Sequence, residues 1–168
     1  MSIGHYDSPF GRIALHFEED VLTRLCFAEQ IQSESASFSE PLCKEKLLRR
    51  LTDWLDRYFA GKDPGVLDVP IRPTGSAFAL KVWHELMNIP YGTTLTYGQL
   101  SAVVAQRCGR PRMSAQAVGA ALSKNPILII IPCHRVIGSD GSLVGYSGGL
   151  DRKRFLLQLE SSGSVLYK

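Results

Sequence analysis

The chain has 168 residues, of which 45% are hydrophobic and 21% charged, and its formal net charge at pH 7 is +3. This composition is typical of a globular protein with one domain or two small ones, and it argues against extensive disorder. The longest apolar runs fall well short of the roughly 18 residues of a membrane helix. The first residues lack the basic and apolar segments of a secretory signal. We therefore expect a protein without a membrane partner.

The distribution of charge bears on the binding partner, and the cysteine content bears on the cellular compartment. The first 75 residues carry nine Lys or Arg against twelve Asp or Glu, whereas residues 76–168 carry ten against four. A basic second half favours contact with a polyanion, although many basic faces are simply solvated. The cysteines show no paired spacing, which favours a reducing compartment: the cytoplasm or, in a eukaryote, the nucleus. They are Cys26, Cys43, Cys108 and Cys133.

The first half of the chain predicts a small domain of the α+β class. Apolar and β-branched residues bounded by turn residues predict the strands, and regularly spaced leucines and aromatic residues predict a helix that ends at Gly61. These elements are strands over residues 12–17 and 22–28 and a helix over residues 44–60. Residues 30–41, rich in Ser and Glu, predict a mobile loop. An extended connection follows, and we place a domain boundary between residues 75 and 76. Nothing in the first half clusters catalytic residue types, so we interpret it as a scaffold.

Two helices joined by a basic turn are predicted in the second half, after a helix over residues 76–87. Thr96-Tyr97-Gly98-Gln99 fits a capping box, with Thr96 as the N-cap of a helix that runs to about residue 106. An arginine-rich turn follows, and a second helix is predicted from Ser114 to Lys124. This outline is that of a helix-turn-helix. The small side chains of the second helix also fit a tightly packed core helix; the basic turn favours nucleic acid.

Pro132-Cys133-His134-Arg135 sets a thiol beside an imidazole and is the most informative stretch of the chain. The aliphatic run over residues 126–131 predicts a short, fully buried strand before it. The thiol is then expected at the mouth of that strand, where the core meets solvent. A neighbouring imidazole or cation lowers a cysteine pKa from about 8.5 toward neutrality and favours the nucleophilic thiolate. On this tetrapeptide alone, the alternative of a buried, unreactive cysteine stays open.

A last helix is predicted over residues 152–160, with Asp151 as its N-cap. Leu156 and Leu157 precede Glu160 by four and three residues, so the carboxylate is expected along the apolar face. A partly buried carboxylate needs a partner, and a salt bridge is its commoner role. A relay from Glu160 through His134 to Cys133 is an economical alternative. Glu160 would fix the imidazole tautomer, and His134 would accept the thiol proton directly or through a water.

Several segments, in order along residues 76–160, resemble the O6-alkylguanine-DNA alkyltransferase family. They are Ile89-Pro90-Tyr91-Gly92, Thr96-Tyr97-Gly98-Gln99-Leu100, Ala117-Val118-Gly119, Asn125-Pro126, Ile131-Pro132-Cys133-His134-Arg135-Val136-Ile137-Gly138 and Gly145-Tyr146-Ser147-Gly148-Gly149. The first half matches more loosely, through Asp7-Ser8-Pro9-Phe10-Gly11 and Tyr58-Phe59-Ala60-Gly61. The resemblance implies a small ribonuclease-H-like α/β domain over residues 1–75. A mostly helical, winged-helix-like domain over residues 76–168 would then carry the helix-turn-helix and an active-site strand.

The resemblance implies direct reversal of alkylation damage in double-stranded DNA, without a cofactor. The helix-turn-helix would enter the minor groove and extrude the O6-alkylguanine, or an O4-alkylthymine, into a pocket. Cys133 would take the alkyl group as a stable thioether, so each molecule would act once. We expect a monomer in solution, and cooperative loading on DNA is left open.

The resemblance also assigns roles to individual residues. Tyr97 would rotate the target phosphate and protonate N3 of the departing guanine, Asn125 would tie the recognition helix to the active-site strand, and Ser147 would donate a hydrogen bond to O6. The catalytic set is Cys133, His134, Glu160, Tyr97 and Asn125. The substrate pocket comprises Pro132, Arg135, Val136, Val144, Gly145, Tyr146, Ser147 and Gly148. The DNA contacts are Thr96, Tyr97, Arg110, Arg112, Ser114, Ala115, Gln116, Ala117, Gly119 and Lys124.

Gln116 departs from the family pattern, which usually has an arginine there to fill the gap left by the flipped base. We expect weaker stabilisation of the extruded state, compensated by Arg110 or Arg112. The N-terminal zinc site of some members is not expected here. The candidate ligands Cys26, Cys43, His5 and His16 show no ligand-like spacing, so no metal is predicted.

Three other functions compete with repair. A non-repairing, damage-binding protein of the same fold would lack the cysteine, so Cys133 argues against it. A helix-turn-helix transcription factor would need base contacts, yet the second helix offers only Ser114 and Gln116. A cysteine hydrolase would release its product and turn over, which separates it from a single-use protein.

Overall fold

An antiparallel sheet begins the chain in the computed structural model, which describes residues 2–30 and 42–162. Its strands β1 (Ser2–Ser8), β2 (Gly11–Glu18) and β3 (Val21–Phe27) pair in chain order. β2 and β3 confirm the two predicted strands. β1 carries no such prediction because it is polar and only half-buried, and so lacks a clear apolar alternation. Glu19 and Asp20 join β2 to β3 with φ angles of 47° and 63°, as in a type I′ hairpin turn.

The helices agree with their predicted spans to within about two residues. Within the described residues they are α1 (Leu42–Phe59), α2 (Ala77–Leu86), α3 (Tyr97–Arg107), α4 (Ala115–Ser123) and α5 (Leu150–Ser162). The capping box is confirmed: Thr96 Oγ1 accepts from Gln99 N–H at 3.1 Å, and Gln99 Oε1 accepts from Thr96 N–H at 2.8 Å. The predicted N-cap role of Asp151 is wrong, because α5 begins at Leu150 and Asp151 therefore lies within the helix. The loop predicted over residues 30–41 lies, apart from Gln30, outside the described residues.

One cluster of buried apolar side chains joins the sheet to the helices. It includes Ile13 and Leu15 of β2, Tyr58 of α1, Trp83 of α2 and Leu156 of α5. Full burial of such side chains contributes about 1.5–3 kcal/mol each. The shared core holds α1 and α5 in fixed relative positions, although they lie far apart in the sequence.

The two helices α3 and α4 form the predicted helix-turn-helix outline and pack on α2. The indole Nε1 of Trp83 donates a hydrogen bond to the carbonyl of Ala121 at 2.9 Å, which ties α4 to α2. Val118 and Leu122 point into the core, whereas the N-terminal positions of α4 are exposed. No helix in the described part of the chain is both long and apolar enough to cross a bilayer.

Residues 126–131 are largely buried as expected, but they do not form a strand. Ile127 makes an isolated bridge to Leu25 of β3, and the chain then turns back so that Ile131 N–H bonds to Ile127 O at 3.1 Å. Asn125 directs this turn: its Oδ1 accepts from Ile127 N–H at 3.0 Å, and its Nδ2 donates to Ile131 O at 2.8 Å. The Asn125 amide thus occupies backbone groups that a neighbouring strand would otherwise pair. Ile129 takes a φ of 70°, which a strand excludes.

The expected active-site strand is therefore replaced by this turn and by a single 3₁₀ turn, Cys133–Arg135. The strand character lies just beyond it, in β5 (Val136–Ile137), which pairs in parallel with β4 (Leu95–Thr96). A run of aliphatic residues predicts burial equally well for a strand and for a buried turn, so periodicity does not separate them.

Candidate active site

Cys133 opens the 3₁₀ turn and is only 3% exposed. Its Sγ accepts a hydrogen bond from Asn125 Nδ2 at 3.1 Å. Burial raises the pKa of the thiol to about 11, although this hydrogen bond and the Lys153 charge oppose the rise. The expectation of a lowered thiol pKa at the edge of solvent is therefore wrong for the free protein. Reaction at Sγ requires a neighbouring group to take the proton as the new bond forms.

His134 is fully buried and pairs with Glu160, as the sequence predicts. Its Nε2 lies 2.7 Å from Glu160 Oε1. Burial lowers the pKa of His134, so the ring is neutral at neutral pH. Because an ionised carboxylate only accepts hydrogen bonds, Nε2 carries the proton and Nδ1 is left as an acceptor. Nδ1 is buried and has no hydrogen-bond partner among the described residues.

The carboxylate of Glu160 is the best-connected polar group in the described part of the site. Besides His134, it accepts from Tyr58 Oη at 2.7 Å, from Arg135 Nε at 2.8 Å and Nη2 at 3.0 Å, and from Gly92 N–H at 3.1 Å. Burial opposes ionisation, but the hydrogen bonds from His134 and Arg135 and the positive charge of Arg135 outweigh it and lower the pKa of Glu160 to about 2. Glu160 is therefore a carboxylate at neutral pH, held by donors on several sides.

Arg135 supports the Glu160 carboxylate. Its guanidinium packs behind Glu160 and also donates from Nη1 to Ile89 O at 2.6 Å, and the residue is 9% exposed. A guanidinium bound in this way holds the carboxylate in place and is turned away from solvent. These contacts make Arg135 a support of Glu160, and its expected role in the substrate pocket stays a prediction. Pro132 and Val136, on either side of the 3₁₀ turn, are also buried.

The segment Val144–Gly148, here called the pocket loop, is held by hydrogen bonds from two side chains to its backbone carbonyls. Tyr97 Oη donates to Val144 O at 2.7 Å. Lys153 Nζ donates to the same oxygen at 2.9 Å and to Gly145 O at 3.3 Å. Lys153 is fully buried, which is rare for lysine, and burial lowers its pKa. Its charge is one of the effects that favour ionisation of Cys133.

The far end of the pocket loop packs on the N-terminal sheet. A Cβ at Gly148 would lie 2.5 Å from the Tyr146 ring and 3.1 Å from the Phe27 ring, so only glycine fits there. The carbonyl of Ser147 accepts a hydrogen bond from Gln30 Nε2, and Ser147 is exposed. The Tyr146 hydroxyl is buried, without a hydrogen-bond partner in the described residues. Both halves of the chain thus hold this loop.

The proposed DNA-contacting residues lie together on the helix-turn-helix. An α4 face of small residues lies beside Tyr97, whose ring carbon Cε1 would be 3.7 Å from a Cβ at Gly119. Thr96 and Ser114 are N-caps whose hydroxyls accept helix N–H groups. The exposed members of the set are Arg110, Arg112, Ser114, Ala115, Gln116, Ala117 and Lys124.

Two residues of the site carry no prediction from sequence. Tyr58 follows the apolar spacing of α1 and is indistinguishable from a core aromatic residue until the fold brings Glu160 to it. Lys153 lies between two arginines near the start of α5, and such a basic segment is usually exposed. Its one signal is its position one turn before Leu156 and Leu157 on the apolar face. Within the described residues, no group of three or more His, Cys, Asp or Glu side chains is placed to hold a metal ion.

Two family models match the chain, one on each half. The ribonuclease-like domain of 6-O-methylguanine DNA methyltransferase matches residues 1–73, and the DNA-binding domain of the same family matches residues 77–162. A methylated-DNA–protein-cysteine methyltransferase of Methanosarcina acetivorans is 42% identical over 157 residues, covering 94% of this chain and 96% of the relative. A protein of the same name from Mycobacterium tuberculosis is 43% identical over 161 residues, covering 94% and 93%.

Solved structures lead to the same family. The crystal structure of Mycobacterium tuberculosis OGT in complex with DNA superposes with a TM-score of 0.80 at 40% identity, covering 98% of this chain and 95% of that one. Both domains, their order and nearly the whole length are therefore shared with these relatives. The chain belongs to the 6-O-methylguanine DNA methyltransferase family.

Proposed function

We propose that this chain repairs alkylated DNA by moving the alkyl group from O6 of guanine to Sγ of Cys133. One observation carries the proposal: a buried cysteine is followed directly by a histidine whose tautomer is set by an ionised glutamate. The relatives support the same reaction, because they are named for transfer from methylated DNA to a protein cysteine. The complex of Mycobacterium tuberculosis OGT with DNA supports DNA as the partner.

In the proposed reaction the thiol loses its proton to Nδ1 of His134, directly or through a water. Sγ attacks the alkyl carbon, a C–S bond forms, and the bond from that carbon to O6 breaks. The electron pair passes to the guanine, which takes a proton at N3 from the Tyr97 hydroxyl and remains in the DNA. Exchange with solvent then moves the guanine proton to N1, returns a proton to Tyr97 and removes the one held by His134. Cys133 keeps the group as a thioether. Because a thioether has no easy leaving group, each molecule reacts once.

Base flipping follows from the burial of the nucleophile. Sγ, the alkyl carbon and O6 must align, and a stacked base cannot present that carbon to a sulfur that is 3% exposed. The small, exposed N-terminal face of α4 suits close approach to the narrow minor groove, with Arg110 and Arg112 beside it to contact phosphate. O4-alkylthymine carries the same kind of C–O bond on a pyrimidine ring, so we include it as a substrate.

Asn125, Tyr97 and Ser147 complete the proposed machinery. The amide hydrogen bond from Asn125 to Sγ would stabilise negative charge as it develops on sulfur. Tyr97 Oη bonds to Val144 O in the free protein and would exchange this bond for the flipped base. Ser147 is exposed on the pocket loop, where its hydroxyl would donate to O6.

The proposal includes a division into domains at residues 75 and 76 and a protein that acts as a monomer. The two family models end and begin at residues 73 and 77, which supports the boundary. The relay, the pocket loop and the helix-turn-helix all come from one chain, so a second copy is not needed to complete the site.

The test is to expose the protein to duplex DNA that contains O6-methylguanine and to map adducts by peptide mass spectrometry. We expect one added CH₂ per protein molecule, located on Cys133, and guanine restored in the DNA. Cys133→Ala should bind the same DNA without an adduct or repair. Repair with repeated turnover would identify a hydrolase instead. Binding by the wild type without repair or adduct would identify a damage-binding protein.

A further inference from the structure

We infer that Tyr58, from the N-terminal part of the chain, is a positioning residue for alkyl transfer. Its hydroxyl orients the Glu160 carboxylate, and the carboxylate in turn fixes the tautomer of His134. The inference rests on the proposed function and extends the active site into the half of the chain that the sequence presents as a scaffold.

The hydroxyl of Tyr58 reaches the relay from α1. It donates to Glu160 Oε1 at 2.7 Å, and its oxygen lies 3.3 Å from His134 Nε2. Tyr58 is fully buried. Its ring stacks on Trp54, with centroids 5.7 Å apart, and meets the Tyr91 ring edge-on at 5.9 Å. Aromatic neighbours on two sides hold the ring in one orientation, so the hydroxyl is presented to the relay from a rigid support.

The position of this hydroxyl bears on which nitrogen of His134 is protonated. Both Glu160 Oε1 and the Tyr58 oxygen lie within reach of Nε2. The two acceptors together keep the proton on Nε2 and leave Nδ1 as the base for the thiol. The bond from Tyr58 also helps to hold the carboxylate, because it adds a third donor to Oε1 beside His134 Nε2 and Arg135 Nη2. Burial and the Glu160 charge raise the pKa of Tyr58, so it remains a donor across the working pH range.

The groups around the Tyr58 hydroxyl determine how its removal should alter the pH dependence. They are Glu160 of α5, His134 and Arg135 of the 3₁₀ turn, Tyr91 of the loop before β4, and Tyr146 of the pocket loop. Glu160 and Arg135 are the charged members at neutral pH. Without the Tyr58 donor, the negative charge on Oε1 is less shared and stabilises a protonated His134 more strongly. The pKa of His134 should therefore rise.

The experiment compares Tyr58→Phe with Tyr91→Phe as a matched control. Each variant loses one hydroxyl from rings that touch each other, but the Tyr91 hydroxyl has no hydrogen-bond partner in the described residues. Single-turnover rates with O6-methylguanine duplex are measured against protein concentration and pH. For Tyr58→Phe we expect unchanged DNA affinity, an adduct still on Cys133 and a limiting rate roughly tenfold lower, below the roughly 10²–10⁴-fold loss of a removed acid–base group. The inflection of its rate profile should move to higher pH, whereas Tyr91→Phe should match the wild type.

A second variant keeps the volume and the hydroxyl. 3-Fluorotyrosine at position 58 is a stronger hydrogen-bond donor, so it should move the inflection to lower pH, opposite to Tyr58→Phe. Rates and inflections equal to those of Tyr91→Phe in both variants, with the wild type modified on Cys133, would overturn this inference and leave the proposed function intact. A wild type that is never modified on Cys133 would overturn both.

Discussion

Replacing Glu160 by glutamine tests whether its carboxylate stabilises the fold as well as the relay. The substitution keeps the size of the side chain but removes the charge that faces Arg135 and His134. Both oxygens of the carboxylate accept hydrogen bonds, so the NH₂ group of a glutamine would face donors instead of offering them an acceptor. The guanidinium of Arg135, which is 9% exposed, is then left without its counter-charge.

The pKa shift sets the size of the effect. Lowering the pKa of Glu160 from its ordinary value of 4.5 to about 2 corresponds to about 3 kcal/mol of stabilisation of the folded state. Breaking a buried ion pair from one side costs a similar amount, about 3–5 kcal/mol. For a chain of this size, a loss of about 3 kcal/mol lowers Tm by roughly 6–12 °C.

The direction of the pKa shift determines how the stabilisation by Glu160 changes with pH. The folded-state pKa lies below the unfolded value, so the stabilisation is complete above pH 4.5 and is lost as the pH falls toward about 2. Urea unfolding of the wild type and Glu160→Gln should therefore differ most at neutral pH and converge in acid. The measurement is the free energy of unfolding at a series of pH values.

Glu45→Gln is the matched control. Glu45 pairs with Arg49 at 2.6 Å on the exposed face of α1, and such pairs change stability by less than about 1 kcal/mol. If Glu160→Gln unfolded as readily as Glu45→Gln at neutral pH, the argument for a stabilising buried carboxylate would be refuted. A difference that stayed constant between pH 4.5 and pH 2 would refute the assigned cause.

Two further substitutions probe the pocket loop and the DNA face. Lys153→Met keeps the stem but removes the ammonium that bonds Val144 O and Gly145 O. We expect slower alkylation of Cys133 by iodoacetamide at each pH, and a loss of about 1–3 kcal/mol of stability because the carbonyls lose a donor. Equal alkylation rates would show that the Lys153 charge does not act on the thiol. Gln116→Arg should speed repair of O6-methylguanine duplex by adding a longer, charged side chain at the exposed start of α4, and an unchanged rate would count against a gap-filling role.

Much of the site follows from local sequence rules. The caps at Thr96 and Ser114 and the helices that they start depend on side chains within three residues of the bonds they make, so they are predicted almost to the residue. The contact between Glu160 and His134 is anticipated from helical spacing and from the need of a buried carboxylate for a partner.

Other features escape such rules. The segment after Asn125 has the composition of a strand, but the side chain of that asparagine bonds its backbone and folds it into a turn. The pKa of Cys133 rises because the fold buries the sulfur, whereas the sequence shows only its imidazole neighbour. Arg135 is adjacent to that imidazole in the chain, yet the fold turns it onto Glu160.

The amino-acid sequence by itself determined the helices, the caps at Thr96 and Ser114, the β2–β3 hairpin and the identity of the cysteine with its imidazole neighbour. These depend on interactions between residues a few positions apart. The tertiary structure alone decided that Tyr58 meets Glu160, 102 positions away, and that Lys153 lies buried beneath the pocket loop. Burial and the local electric field are sums over groups distant in the chain, and they take definite values only once the core has packed.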